Sequence, residues 1–120
     1  MSNDPFGEVI FSYTRKQAIA DGVLVDLSQF EVTRTEWRHH VACTDTVWGI
    51  IESAVQGHGK DYEGVLHDIF TMSRLAISAS NTNTTHFKTI IGRKIYDLKM
   101  HCGPGDDATP VLTLMLPHED

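Results

Sequence analysis

Between Tyr62 and Ser80 the apolar residues Tyr62, Val65, Leu66, Ile69, Phe70, Leu75, Ala76 and Ile77 recur three and four positions apart. That period makes one continuous stripe on an α-helix and scatters on a strand. Soon afterwards the period becomes two. Tyr96, Leu98, Met100 and Cys102 alternate with Asp97, Lys99 and His101, the mark of a strand with one wet face. A chain of 120 residues holding both patterns must pack a helix layer on a sheet.

The remaining elements follow from local signals. Glu8–Tyr13 and Val23–Leu27 are β-branched and aromatic runs, predicted as strands. Between them Thr14 caps a short helix, Arg15–Asp21, which Gly22 stops. Ser28–Trp37 has no clean period, and Arg38–Cys43 reads as an extended lead-in. Thr44 caps a helix over Asp45–Val55, Gln56–Lys60 breaks it, and Asp61 caps the long helix. His86–Ile91, the turn Gly92–Arg93 and Lys94–Cys102 form a hairpin. Gly103–Pro110 is a turn, with Cys102 opposite Val111, and Val111–Leu116 is a covered strand.

The expected fold is a single α+β domain over 1–120, with residues 1–7 a loose start. A mainly antiparallel sheet of about five strands packs on two longer helices. The expected core is Ile10, Val23, Val25, Trp48, Ile51, Leu66, Ile69, Phe70, Leu98, Met100, Leu112 and Leu114. Roughly two-thirds of the unfolded surface is buried in a chain this long, enough to stand without disulfides or metal.

Charge narrows the partners. The net charge is −6, which disfavours nucleic acid, since phosphate neutralisation needs clustered cations. Lys88, Arg93, Lys94 and Lys99 nevertheless crowd one hairpin, and Asp106 and Asp107 an adjoining loop. No run approaches the roughly 20 apolar residues of a membrane helix, and no basic-then-apolar leader opens the chain. The two cysteines are expected as reduced thiols in a cytoplasmic protein.

Catalytic signals do not assemble. In CGPGDD (102–107) Pro104 and Gly105 fit positions i+1 and i+2 of a type II turn. His101 and Cys102 are adjacent on a strand and point to opposite faces. The seven histidines lack paired zinc spacing, so no metal and no cofactor is expected. A phosphate loop, G-x-S-x-G and H-E-x-x-H are all missing. Trp37, flanked by Glu36, Arg38 and His39, has the composition of an interface anchor as well as of a core residue.

Three stretches carry a resemblance: YTRKQAIADGVLVD (13–26), ACTDTVW (42–48) and CGPGDDATPVLTLMLPHED (102–120). In this order they resemble a family of short uncharacterised proteins, a domain of unknown function, carried by plasmids, integrative elements and phages. The resemblance implies a genomic setting and supplies no active site. Accessory proteins of such elements often inhibit host defence, CRISPR and restriction systems included. The expected function is therefore non-catalytic protein binding, through Asp106 and Asp107, Trp37, or the basic Lys88, Arg93, Lys94 and Lys99. A homodimer paired at a sheet edge is a second expected association. The alternative is a small enzyme of ADP-ribosyl-transfer type acting on a nucleotide, resting on Tyr13, Thr14, Arg15, His101 and Cys102.

Overall fold

The computed structural model describes residues 13–119, side chains included except that of His58. The strand expected over Glu8–Tyr13 and the core residue Ile10 thus lie outside the described residues, apart from Tyr13, which is in no strand. The elements run α1 (Arg15–Ala20), β1 (Leu24–Asp26), a 3₁₀ turn (Leu27–Gln29), α2 (Glu31–Glu36), β2 (His40–Thr44), α3 (Asp45–His58), α4 (Tyr62–Ser78), β3 (Thr84–Ile91), β4 (Lys94–Pro104) and β5 (Pro110–Met115). The five strands form one sheet in the order β1-β2-β5-β4-β3. Only the β2–β5 pair is parallel. The architecture is α+β, with α3 and α4 as the two longer helices. Among the described residues no helix is long and apolar enough to cross a membrane.

Side-chain oxygens start the helices. Thr14 Oγ1 accepts from the Gln17 amide, Thr44 Oγ1 from Val47, and Asp61 Oδ1 from Gly64. Each answers an amide that has no partner in the first turn. The hairpin turn Gly92–Arg93 closes on the pair Ile91–Lys94. Gly92 there has φ +68°, which a side chain would strain.

The core lies between one sheet face and α3 and α4. Val41, Cys43, Leu112, Leu114, Leu98, Met100, Phe87 and Ile91 come from the sheet. Val47, Ile51 and Ala54 come from α3, and Val65, Leu66, Ile69 and Phe70 from α4. Alternation holds along β3, where each odd residue from Thr85 to Ile91 is buried and each even one from His86 to Ile90 is exposed.

Several expectations shift. Val23 is 48% exposed, because it precedes β1 and its carbonyl accepts the Asp45 amide instead. Leu75 is exposed while Ser73 is buried, so the stripe of α4 runs through Val65, Leu66, Ile69, Phe70 and Ser73. Trp48 is half-buried, stacked on Tyr62 with centroids 5.2 Å apart and beside Phe30. Ser28–Trp37 contains α2, which neighbours hold: Glu63 accepts the Val32 amide, and Arg74 pairs with Glu36 at 2.6 Å. Cys102 faces Leu112, one residue on from Val111, and both side chains lie on the core face.

The β4–β5 turn also differs. Its bond runs from the Ala108 amide to the Gly105 carbonyl. The residue at positive φ is Ala108, at +70°, and Gly105 is not among those with positive φ. A methyl-bearing residue therefore occupies a backbone region that costs it roughly 1–2 kcal/mol. We predict that Ala108→Gly raises stability by about 0.5–1 kcal/mol in urea unfolding. A destabilised variant would contradict strain at this turn.

Candidate functional site

The sheet's second face carries a polar cluster built around α1. This helix has no acid in its first turn and begins with Arg15 and Lys16. The missing negative charge comes from Asp106, 91 residues away from Arg15. Its two carboxylate oxygens accept the Arg15 amide at 2.8 Å and the Lys16 amide at 3.0 Å. The Arg15 guanidinium then spans two strands. It donates to Thr113 Oγ1 and the Leu112 carbonyl on β5, each at 2.7 Å, and to His40 Nδ1 on β2 at 3.4 Å. His40 Nε2 meets Asp26 Oδ1 at 2.9 Å on β1. Burial disfavours the charge on Arg15 and lowers its pKa, and Asp106 and Asp26 oppose that effect. Arginine keeps its proton in such a setting. A recess of about 380 Å³ lies here, lined by Arg15, His40, Asp106 and Val111 among others.

The acidic loop is thus divided between two roles. Asp106 is engaged by the chain itself. Asp107 is fully exposed, and the Thr109 amide bonded to its carboxylate holds its pKa below the usual range. Trp37 is half-buried, edge-on to Phe70 at 5.9 Å and covered by the Arg74 guanidinium at 4.7 Å. Its indole N–H has no hydrogen-bond partner among the described residues.

The residues of the enzyme alternative fall apart. Tyr13 gives its hydroxyl proton to Asp21 at 2.7 Å. Arg15 and His101 share a face, since Thr113 pairs with His101 across the ladder. His101 bonds Thr84 Oγ1, whereas Cys102 packs against the core on the other face. Burial pushes the Cys43 thiol up to about 12, so it is no nucleophile at neutral pH. Among the described residues no three His, Cys, Asp or Glu side chains group as metal ligands would.

The basic hairpin lies beside a larger feature. A groove of about 810 Å³ opens between α4 and the outer end of β3–β4. Val65, Met72, Thr89, Ile90, Ile91 and Ile95 supply most of its apolar lining, with Lys60, Asp68 and Lys88 beside them. Ile90 and Ile95 are cross-strand partners, 60% and 69% exposed. Met72 is 41% exposed on α4. Lys88 pairs with Asp97 at 2.6 Å, while Arg93, Lys94 and Lys99 make no ion pair among the described residues. Arg93 and Lys94 are exposed and Lys99 is half-buried. The sequence held a signal for this groove. Ile90–Ile91 and Ile95–Tyr96 are adjacent apolar pairs, and alternation sends one member of each to the wet face.

Comparison with known proteins finds no matching family model, no matching curated protein and no matching solved structure. Function is therefore argued from the surface alone.

Asp106→Ala should free two amides of α1 and cost about 1 kcal/mol. Hydrogen exchange at Arg15 and Lys16 should quicken in that variant. Unchanged exchange there would show that Asp106 does not hold the helix.

Proposed function

We propose that this chain is a non-catalytic protein-binding protein whose docking surface is the groove between α4 and the β3–β4 hairpin. The observation that carries the reading is the cluster of exposed Met72, Ile90 and Ile95 around one large recess. Scattered exposed apolar residues are ordinary on a protein surface, but a contiguous set lining a concavity marks a contact site. Arg93 and Lys94 at the hairpin turn add the charged surroundings that steer a partner and suppress wrong ones. Asp106, Asp107 and Trp37 support the reading less, since Asp106 and Trp37 already have intramolecular work.

The setting implied by the family resemblance makes the partner a host protein, and a component of a defence system is the class to examine first. The proposed role is an accessory protein of a mobile genetic element that inhibits by occupying the partner's surface.

Affinity capture from a host lysate tests this reading, with Met72→Glu/Ile90→Glu and Lys94→Glu/Lys99→Glu as variants. Both substituted pairs lie away from the core of α3, α4 and the sheet, so circular dichroism should be unchanged. One dominant protein should be retained by the wild type and lost with the Met72→Glu/Ile90→Glu variant. Retention unaffected by that variant would remove the groove from consideration.

A further inference from the structure

We infer that β3 binds its partner by strand addition, taking an extended segment whose side chains alternate between apolar and acidic. This deepens the groove reading and rests on it. Three observations combine.

The first is an open edge. Among the described residues β3 has a neighbour on one side only, and its eight residues run Thr84–Ile91. The two-residue turn makes Ile91–Lys94 the closing pair. The Cys102 amide donates to the Asn83 carbonyl at 2.8 Å. Both facts give the odd-numbered residues the hydrogen bonds to β4. In an antiparallel ladder the alternate residues then point their amides and carbonyls the other way. His86, Lys88 and Ile90 therefore present unpaired backbone groups along the free edge. This is the template that a peptide extends when it joins a sheet.

The second is a polar group without a partner. Thr89 is 3% exposed and lines the groove, and its hydroxyl has no hydrogen-bond partner among the described residues. A buried hydroxyl left unpaired is costly, and an added strand brings acceptors and donors beside it. The inward side chains of that strand would meet Val65 and Met72, which favour apolar residues.

The third is charge. The hairpin from Thr84 to Pro104 bears Lys88, Arg93, Lys94 and Lys99 against the single acid Asp97, in a chain of net charge −6. A second copy of this chain would bring the same cations to the edge, and like charges directly opposed destabilise a strand pair. An acidic segment of another protein is complementary. Its outward residues lie beside His86 and Lys88.

The test uses a synthetic eight-residue peptide of alternating valine and aspartate, matching the length of β3. Its comparators are a lysine-for-aspartate peptide and one N-methylated at alternate amides. Binding is read from amide shifts of the labelled protein. The aspartate peptide should shift His86, Lys88 and Ile90 and bind about tenfold more tightly than either comparator. Lys88→Pro deletes an edge donor without removing a bond to β4 and should abolish binding. Lys88→Ala keeps the backbone donor and should weaken binding only several-fold. If Lys88→Pro fails to fold, the N-methylated peptide carries the same test. Equal binding of the N-methylated peptide, or undiminished binding to folded Lys88→Pro, would overturn strand addition. So would the absence of any shift at millimolar aspartate peptide, and equal binding of the lysine peptide would overturn the acidic partner. Met72→Glu separates the two readings. Binding lost there but kept in Lys88→Pro leaves the groove without strand addition, and the converse leaves the edge without the groove.

Discussion

The parallel pairing of β2 with β5 holds this fold together. Without it the β1–β2 and β3–β4 pairs are two separate hairpin-like units. The pairing runs His40–Val111 through Cys43–Leu114 and places Val41 and Cys43 beside Leu112 and Leu114 under α3 and α4. Parallel pairs are slightly weaker per residue than antiparallel ones. Here the seam has a clamp, because Arg15 reaches His40 on one strand and Thr113 and Leu112 on the other. Asp106 holds α1, and with it Arg15, over the seam. A second tie crosses nearby, where Glu119 accepts from Thr44 Oγ1 and the Leu116 amide. Burial opposes the charge on Glu119, but those hydrogen bonds prevail and lower its pKa.

What the sequence made legible was local. Thr14, Thr44 and Asp61 sit at the helix starts because their short oxygens reach amides a few residues on. Gly92–Arg93 marks a hairpin because the turn demands a residue at positive φ. What escaped was non-local. α2 has no side-chain cap of its own and depends on Glu63 and Arg74 from another helix. β2 has an ordinary short apolar run, and nothing within it announces a parallel partner from the last strand.

The candidate site divides in the same way. Lys88, Arg93 and Lys94 are where the hairpin pattern put them, at a surface beside an apolar recess. Asp106 was legible as an exposed loop acid but not as a cap, since its partner amides belong to α1. The clue lay in α1 itself, whose first turn offers Arg15 and Lys16 where the helix dipole favours an acid. Trp37 shows composition and context diverging. Its charged neighbours suggest exposure, yet Arg74 covers the ring from the adjacent helix.

The position of β5 bears on synthesis. The strand that unites the sheet comes after every other described element. On the ribosome, β1–β2 and β3–β4 emerge as separate pairs, each with an open inner edge, and neither can close until β5 follows. Long-range pairing of this kind is slow, because loop closure must precede the contacts that repay it. In that interval β2 and β4 expose the same kind of bare backbone that β3 keeps in the finished molecule. The nascent chain thus has three sticky margins where the mature one has one long one, and its last strand is what seals two of them.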